Sequence, residues 1–268
     1  MILSRRAKLV VAISFVVMLL VNYGANAFRL NGITTADVSG IYQTPLTPAG
    51  YTFAIWGLIY TLLLLHVLFA CGLFKAEQPS LTADDADRIE KAFVLSSLAN
   101  SAWILAWQYL LIPLSLILII VIFACLIAIA AVLRGAVLSA REVLLIGVPF
   151  GVYLGWITVA VLQNVCVLLA SLGAWNVEGS LPDILAILIL VVGLVVVAIL
   201  AWPNREASYP LVAIWAYVGI LVRYASSASL MDSHAAIAVT LGACIVALVI
   251  MVVMVFSKRM RSKRKIEE

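Results

Sequence analysis

The chain has 268 residues and a net charge of +4; 65% of its residues are hydrophobic and only 11% are charged. Its mean hydropathy is +1.18. A soluble domain is about 45–50% apolar and about 25% charged, so this composition excludes an ordinary water-soluble fold.

Apolar segments of about 20 residues suit helices that cross a bilayer, because each helix satisfies its own backbone hydrogen bonds. Charges, prolines and glycine clusters divide the chain into eight such segments. The sequence therefore predicts an all-α integral membrane protein with eight transmembrane helices. The predicted spans are 8–26, 51–73, 93–111, 114–133, 143–170, 183–201, 209–227 and 235–256.

The first span has two interpretations. Arg5, Arg6 and Lys8 precede an apolar stretch, and Ala25-Asn26-Ala27 follows it, which also fits a cleaved signal peptide. Cleavage would leave seven spans. We expect a retained first helix, and the signal peptide remains the alternative.

The start of the second span carries an aromatic stripe. Thr47 is predicted to be its N-cap and Pro48 its first helical residue. Phe53, Trp56 and Tyr60 follow at spacings that place all three on one helix face. The stripe runs two turns inward, whereas an interfacial aromatic belt lies at the ends of a span. It therefore indicates a pocket wall or a packing face.

The third span carries Asn100, Trp103 and Trp107 on one face, with Gln108 beside them. An amide and two indoles on one stripe are expected to face protein, water or a ligand rather than lipid. Only the step to Pro113 separates this span from the fourth, which predicts a tight antiparallel hairpin.

The fifth span repeats the pattern with Trp156, Ala160 and Asn164 on one face. Interhelical hydrogen bonding explains each polar stripe taken singly. Three stripes together favour an aromatic cavity with a few polar anchors, which is the usual composition of a small-molecule site.

The beginning of the fifth span also carries small residues at every fourth position, Gly147, Gly151 and Gly155. This spacing lets another helix backbone approach closely. The contact lies either within the bundle or in a homodimer.

Few residues suit a metal or an ion-coupling site. His66 stands alone in a span and His234 lies in a predicted outer loop, so a metal site is not expected. Most acidic residues fall in predicted loops, as Asp87 and Glu90 do.

Arg223 is the one basic residue inside an apolar span. It is expected to extend its charge to the lipid headgroups. The alternatives are an anchor for an anionic ligand or an ion pair with Asp183 or Asp232.

Lysine and arginine predict the orientation. With the N-terminus inside the cell, all of the 17 basic residues except Arg29 and Arg223 fall on the inner side. Both termini are then cytoplasmic, in what we expect to be the plasma membrane. The basic tail, 258–268, is expected to contact anionic membrane lipid rather than nucleic acid.

These motifs resemble one family. The run Pro48, Gly50, Phe53, Trp56, Tyr60 is similar to the P-x-G-x-x-F-x-x-W-x-x-x-Y signature of the tryptophan-rich sensory protein or translocator protein (TspO/MBR) family. The third-span Asn100-x-x-Trp103 and the fifth-span Trp156, Ala160 and Asn164 resemble its other two signatures. The similarity covers about residues 8–175.

The resemblance implies a five-helix bundle, residues 1–175, that encloses a pocket for porphyrins and other hydrophobic aromatic molecules. The loop at residues 27–47 would cover this pocket. Three further helices, 176–257, have no counterpart in short members of the family. The implied ligand-binding residues are Phe53, Trp56, Tyr60, Asn100, Trp103, Trp107, Trp156, Ala160 and Asn164.

The expected function is therefore binding of a tetrapyrrole-like molecule for sensing or transport, with no resident cofactor. The alternative is a small-solute secondary transporter in which the extra helices take part in alternating access. Against it, the sequence shows no inverted repeat and few intramembrane carboxylates. An enzyme acting on the bound pigment is a third interpretation, and no nucleophile and base pair in the sequence supports it.

Overall fold

The computed structural model describes residues 4–74, 80–176, 179–204 and 207–267, with only the backbone of 202–204 and 258–267. These residues form helices and connecting turns, with no strand among them. The α-helices are α1 (Arg5–Ala27), α2 (Thr35–Ile41), α3 (Ile55–Cys71), α4 (Ala83–Gln108), α5 (Ile112–Arg134), α6 (Ala140–Glu142), α7 (Val148–Ser171), α8 (Leu181–Asn204), α9 (Ser208–Ala225), α10 (Ala228–Ser233) and α11 (Ala235–Glu267). Short 3₁₀-helices cover Leu30–Gly32 and Gly50–Ala54, and a π-helical turn covers Val143–Gly147.

Seven helical segments in the described part of the chain are long and apolar enough to cross a membrane. They are Arg5–Ala27, Gly50–Cys71, Ile112–Arg134, Ala140–Ser171, Leu181–Ala201, Ser208–Ala225 and Ala235–Ser257. The predicted span 93–111 falls in α4, which is not among the seven because charged residues fill its first turns and polar residues its interior face. The predicted number of eight is therefore not confirmed.

Successive long helices run in opposite directions, which gives the bundle two distinct ends. We call the end where α1 begins the basic end; there Lys8 Nζ donates to the Cys71 carbonyl at the end of α3, 3.2 Å away. We call the other the loop end; there residues 28–54 connect α1 to α3. The expected hairpin between α4 and α5 is present at the loop end, with Pro113 in the first turn of α5.

Five helices form a ring. Helix α1 packs on α3 and α4, α3 packs on α7, and α5 packs on both α4 and α7. The ring order is therefore α1, α3, α7, α5, α4. The aromatic stripes of α3, α4 and α7 meet inside the ring. Buried polar side chains of the same helices also lie there.

The three C-terminal long helices attach to one side of this ring. Helix α9 packs on α7, and α11 packs on both α8 and α9. Gly155 of α7 makes the approach close, because a Cβ there would lie 2.7 Å from the Tyr209 carbonyl oxygen of α9. Gly155 is therefore engaged within the chain.

Two local predictions are wrong. Helix α3 does not start at Pro48: a 3₁₀-helix begins at Gly50, and the Thr47 hydroxyl accepts from the Thr44 backbone N–H (3.0 Å) instead of capping the helix. Glu90 is not in a loop. It lies in α4 and is only 3% exposed. Helix α4 begins at Ala83, ten residues before the predicted start of the span at residue 93.

Candidate ligand-binding cavity

Indole rings from three helices of the ring come together near the loop end. The ring centroid of Trp56 on α3 lies 5.9 Å from that of Trp103 on α4 and 6.1 Å from that of Trp156 on α7. Phe53 meets Trp156 edge to face, with the centroids 6.0 Å apart. Such offset and edge-on contacts are the favoured arrangements of aromatic pairs.

A cavity lies against these rings. Seven of the nine ligand-binding residues expected from the sequence line it, namely Phe53, Trp56, Trp103, Trp107, Trp156, Ala160 and Asn164. The other two, Tyr60 and Asn100, do not. Tyr60 does not line the cavity but stacks on the ring of Trp56, which does, at a centroid distance of 5.5 Å.

Asn100 lies one layer below the cavity. Its side chain is fully buried; Oδ1 accepts from Asn22 Nδ2 (2.7 Å) and Nδ2 donates to the Tyr153 hydroxyl (3.1 Å). These bonds connect α1, α4 and α7 across the ring interior. Asn100 therefore joins these helices below the cavity and does not line it.

Asn164 fixes the cavity side of α4 and α5 to α7. Its Oδ1 accepts from Ser115 Oγ (3.0 Å) and from Trp103 Nε1 (3.4 Å), while Nδ2 donates to the Ala160 carbonyl (2.9 Å). With its polar atoms used in this way, Asn164 orients the Trp103 ring.

Helix α2 covers the cavity from the loop end. Trp107 Nε1 donates to the Thr35 carbonyl (3.0 Å), and Thr35 and Ser39 both line the cavity. A capping box begins the helix, in which the Thr34 N–H donates to Asp37 Oδ2 (2.7 Å). The backbone and hydroxyl hydrogen bonds of Thr34 lower the pKa of Asp37, so the box is intact at neutral pH.

The segment between α2 and α3 is held by α9. Arg223 Nη1 donates to the carbonyls of Thr44 (2.8 Å) and Thr47 (3.0 Å), and the Tyr224 hydroxyl donates to the Pro45 carbonyl (3.0 Å). Arg223 thus binds backbone carbonyls of this segment. Asp183, one expected partner, instead contacts His234 at 2.6 Å.

Two further bonds join α9 to the start of α3. Trp215 Nε1 donates to the Thr52 carbonyl and the Ala49 N–H donates to the Gly219 carbonyl, both at 3.0 Å. Together with the bonds of Arg223 and Tyr224, they attach residues 44–52 to α9. We call residues 44–52 the cover segment.

Sequence reasoning missed the cavity residues contributed by α2, the cover segment and α9, and two residues of α7. They are Thr35, Ser39, Leu46, Pro48, Val159, Gln163, Ala216 and Ile220. The charge of Arg223 inside an apolar span was the one available signal that α9 belongs to the site. Its partners could not be inferred, because they are main-chain carbonyls more than 170 positions away.

Several polar atoms of the cavity wall have no hydrogen-bond partner among the described residues. They are Trp156 Nε1, Gln163 Nε2 and Ser39 Oγ. An indole N–H and an amide N–H are donors, and a hydroxyl can donate. The wall therefore offers donors to an oxygen or nitrogen acceptor on a bound molecule.

A second polar contact lies deeper, towards the basic end. His66 Nε2 of α3 is 3.1 Å from Glu90 Oε1 of α4, and both side chains are buried. The expectation that His66 stands alone is therefore wrong. No group of three metal-binding side chains occurs in the described ranges.

A sequence model of one family, described as TSPO-like protein, matches residues 8–255. The chain belongs to the TSPO-like family. The match includes α8 and α9 and most of α11, which lie beyond the part of the chain that carries the family signatures. No curated protein and no solved structure matches the chain. With its seven apolar helices, this TSPO-like protein is an integral membrane protein.

Proposed function

We propose that the protein binds a hydrophobic aromatic molecule of the tetrapyrrole class in the cavity between α3, α4 and α7. The observation that carries the proposal is the meeting of Trp56, Trp103 and Trp156 beside one cavity. Aromatic walls with a few polar groups are typical of small-molecule sites.

The packing of the rings limits how such a ligand lies. Trp56 and Trp103 are in contact, at an angle of 32° between their planes, which leaves no space for a flat molecule between them. A planar ligand would therefore lie against the ring faces on the cavity side. The unpaired Trp156 Nε1 and Gln163 Nε2 would donate to an acceptor, such as a carboxylate, at the ligand edge.

The test is titration of the purified protein with protoporphyrin IX, followed by the absorption of the ligand itself. This signal does not depend on how many tryptophans remain. Replacing Trp103 and Trp156 together by Phe should weaken binding by about 10- to 100-fold. Aromatic contacts contribute about 0.5–1.5 kcal/mol each beyond burial, and a lost hydrogen bond adds to this.

The matched control is Trp175→Phe. Trp175 lies just past the end of α7, outside the cavity wall, and its Nε1 donates to the Cys166 carbonyl (2.9 Å). This variant should bind as the unmodified protein does. Equal weakening in the control and in the double variant, or no weakening in either, would contradict the proposed site.

Sensing and transport are both compatible with such a site, and we place the protein in the plasma membrane with both termini cytoplasmic. One observation favours the second candidate function, a small-solute secondary transporter. Transporters that use a proton gradient need titratable groups inside the membrane, and Glu90 with His66 supplies them. Uptake of solute into proteoliposomes driven by a proton gradient would support this candidate.

A further inference from the structure

The contact between His66 and Glu90 crosses the interior of the ring. His66 lies on α3 and Glu90 on α4, and in the ring order α1 separates these two helices on one side while α7 and α5 separate them on the other. The pair is on the basic-end side of Asn100, whereas the cavity is on the loop-end side. It therefore closes the ring interior below the cavity.

The surroundings of the pair are buried and aromatic. His66 is fully buried, and its ring centroid lies 4.6 Å from that of Phe150 and 5.6 Å from that of Phe93. His66 Nε2 and both carboxylate oxygens of Glu90 have no hydrogen-bond partner among the described residues, so the two groups lie close together without a well-aligned hydrogen bond. An isolated charge in such a place is strongly unfavourable, so the pair is stable only while its two members compensate each other.

The π-helical turn before α7 determines which ring nitrogen carries a hydrogen. His66 Nδ1 lies 3.0 Å from the Leu145 carbonyl oxygen, which can only accept, so Nδ1 donates. π-Helical turns occur frequently at functional sites. Here the turn places the Leu145 carbonyl beside Nδ1 of His66. The other ring nitrogen, Nε2, faces Glu90.

The pair is neutral overall when it carries one further hydrogen besides the one on Nδ1. This hydrogen lies either on the ring, beside a carboxylate, or on the carboxyl group, facing a bare Nε2; both arrangements are neutral overall. Loss of this proton leaves a net negative charge and two lone pairs facing each other at 3.1 Å. Gain of a second proton leaves a net positive charge. Each change opposes the closed packing of α3 and α4.

Other charged groups near this end of the bundle are engaged elsewhere. Lys8 of α1 donates to the Cys71 carbonyl, and Lys91 of α4 pairs with Asp87 at 2.6 Å. Glu142 of α6 accepts from the Ser80 and Ser139 backbone N–H groups (2.9 and 3.0 Å). Arg134 of α5 and Arg141 of α6 also lie towards this end and have interactions of their own.

We propose that His66 and Glu90 form a proton-binding site that closes the basic end of the ring interior, so that α3 and α4 separate there when the shared proton is lost. Separation admits water, which solvates the carboxylate that the closed state cannot accommodate. Proton occupancy and the opening of the ring are then thermodynamically linked. This linkage does not depend on which molecule occupies the cavity.

The first test uses the fact that the chain has only two histidines. Nitrogen NMR of full-length protein labelled at histidine gives two imidazoles, and His234→Gln identifies the signal of His66. In Glu90→Gln the amide donates to Nε2 without any acidic proton. The Nε2 signal of the unmodified protein should therefore change when the pH is raised and the shared proton is lost, whereas that of Glu90→Gln should stay constant and Nδ1 should stay protonated in both. An Nε2 signal of the unmodified protein that does not change with pH, or that changes equally in Glu90→Gln, would overturn the proposal.

The second test measures the linkage. Amide hydrogen exchange, corrected for its intrinsic pH dependence, should rise by about tenfold or more in peptides from the basic-end halves of α3 and α4 when the pH is raised from neutral to alkaline. Glu90→Gln, which is neutral and similar in shape, should abolish this rise and keep the low exchange of the closed state.

The matched control is Asp87→Asn, which removes an exposed carboxylate less than one turn earlier on α4. It should keep the alkaline rise. Absence of the rise in the unmodified protein, or an equal rise in Glu90→Gln, would overturn the linkage. Neither result bears on protoporphyrin binding, so failure here is distinct from failure of the proposed cavity.

Discussion

Single polar side chains inside the ring hold its helices together. Asn100 contacts Asn22 of α1 and Tyr153 of α7, so one amide joins three helices. Interhelical hydrogen bonds in membrane proteins are typically worth about 0.6 kcal/mol and at most about 2 kcal/mol. Asn100 is at the upper part of this range, because a buried tyrosine hydroxyl depends on it.

Asn100→Leu should therefore lower the thermal stability of the purified protein. The substitution leaves the Tyr153 hydroxyl without its donor, and the expected loss is about 1–2 kcal/mol of unfolding free energy. The measurement is the unfolding midpoint in mild detergent. Thr61→Val on the exposed face of α3 is the control, since the Thr61 hydroxyl only donates to the Gly57 carbonyl of its own helix. A smaller loss for Asn100→Leu than for the control would contradict this role.

The sequence predicts cavity residues well where helical periodicity determines which face of a helix a residue occupies. Trp56, Trp103 and Trp156 stand on interior faces as their spacing indicates. Periodicity gives the face of a helix but not the partner across the interior. For this reason Asn100 was expected in the pocket but lies below it, and the contact of His66 with Glu90 was not foreseen.

At the scale of elements, α9 is the helix that completes the cavity. It lines the wall with Ala216 and Ile220 and holds the cover segment by bonds to backbone carbonyls. Gly219 lets the two approach, because a Cβ there would overlap the Thr52 side chain. Helix α9 is therefore part of the cavity wall.

Gly219→Ala should push the cover segment away from α9. Overpacking of this kind is typically worth about 1–3 kcal/mol, so we expect a lower unfolding midpoint together with weaker protoporphyrin binding. Gly57→Ala is the control: a Cβ at this exposed position of α3 meets no atom within 4 Å. Alanine should leave stability unchanged or raise it by up to about 1 kcal/mol, through helix propensity. If both variants behaved alike, the close contact at Gly219 would have no role.

The ends of helices could be predicted from the sequence where one local residue preference determines them. Pro113 marks the start of α5 correctly, because no partner is needed for its missing N–H. Thr47 and Pro48 carried the same kind of signal but lie before the helix. There the tertiary bonds to α9 override the local preference and hold the chain extended as far as Ala49.

At the scale of the whole molecule, composition and helix length are sufficient to predict a helical membrane protein. They are not sufficient for the number of spans, because α4 combines charged first turns with a polar interior face. That polarity belongs to the site: α4 supplies Trp103 and Trp107 to the cavity and Glu90 to the proton-binding pair. The helix that least resembles a transmembrane span is thus the one that contributes most to the interior.

The central claim is that the interior of the ring, beside the three indoles, is where the ligand binds. Photolabelling with a diazirine derivative of protoporphyrin, followed by mass spectrometry of the labelled peptides, tests this most directly. We predict insertion in the peptides that contain Trp56, Trp103 and Trp156, and loss of this labelling when unmodified protoporphyrin is added. Labelling confined to exposed faces of α5 or α8, without competition, would contradict the account.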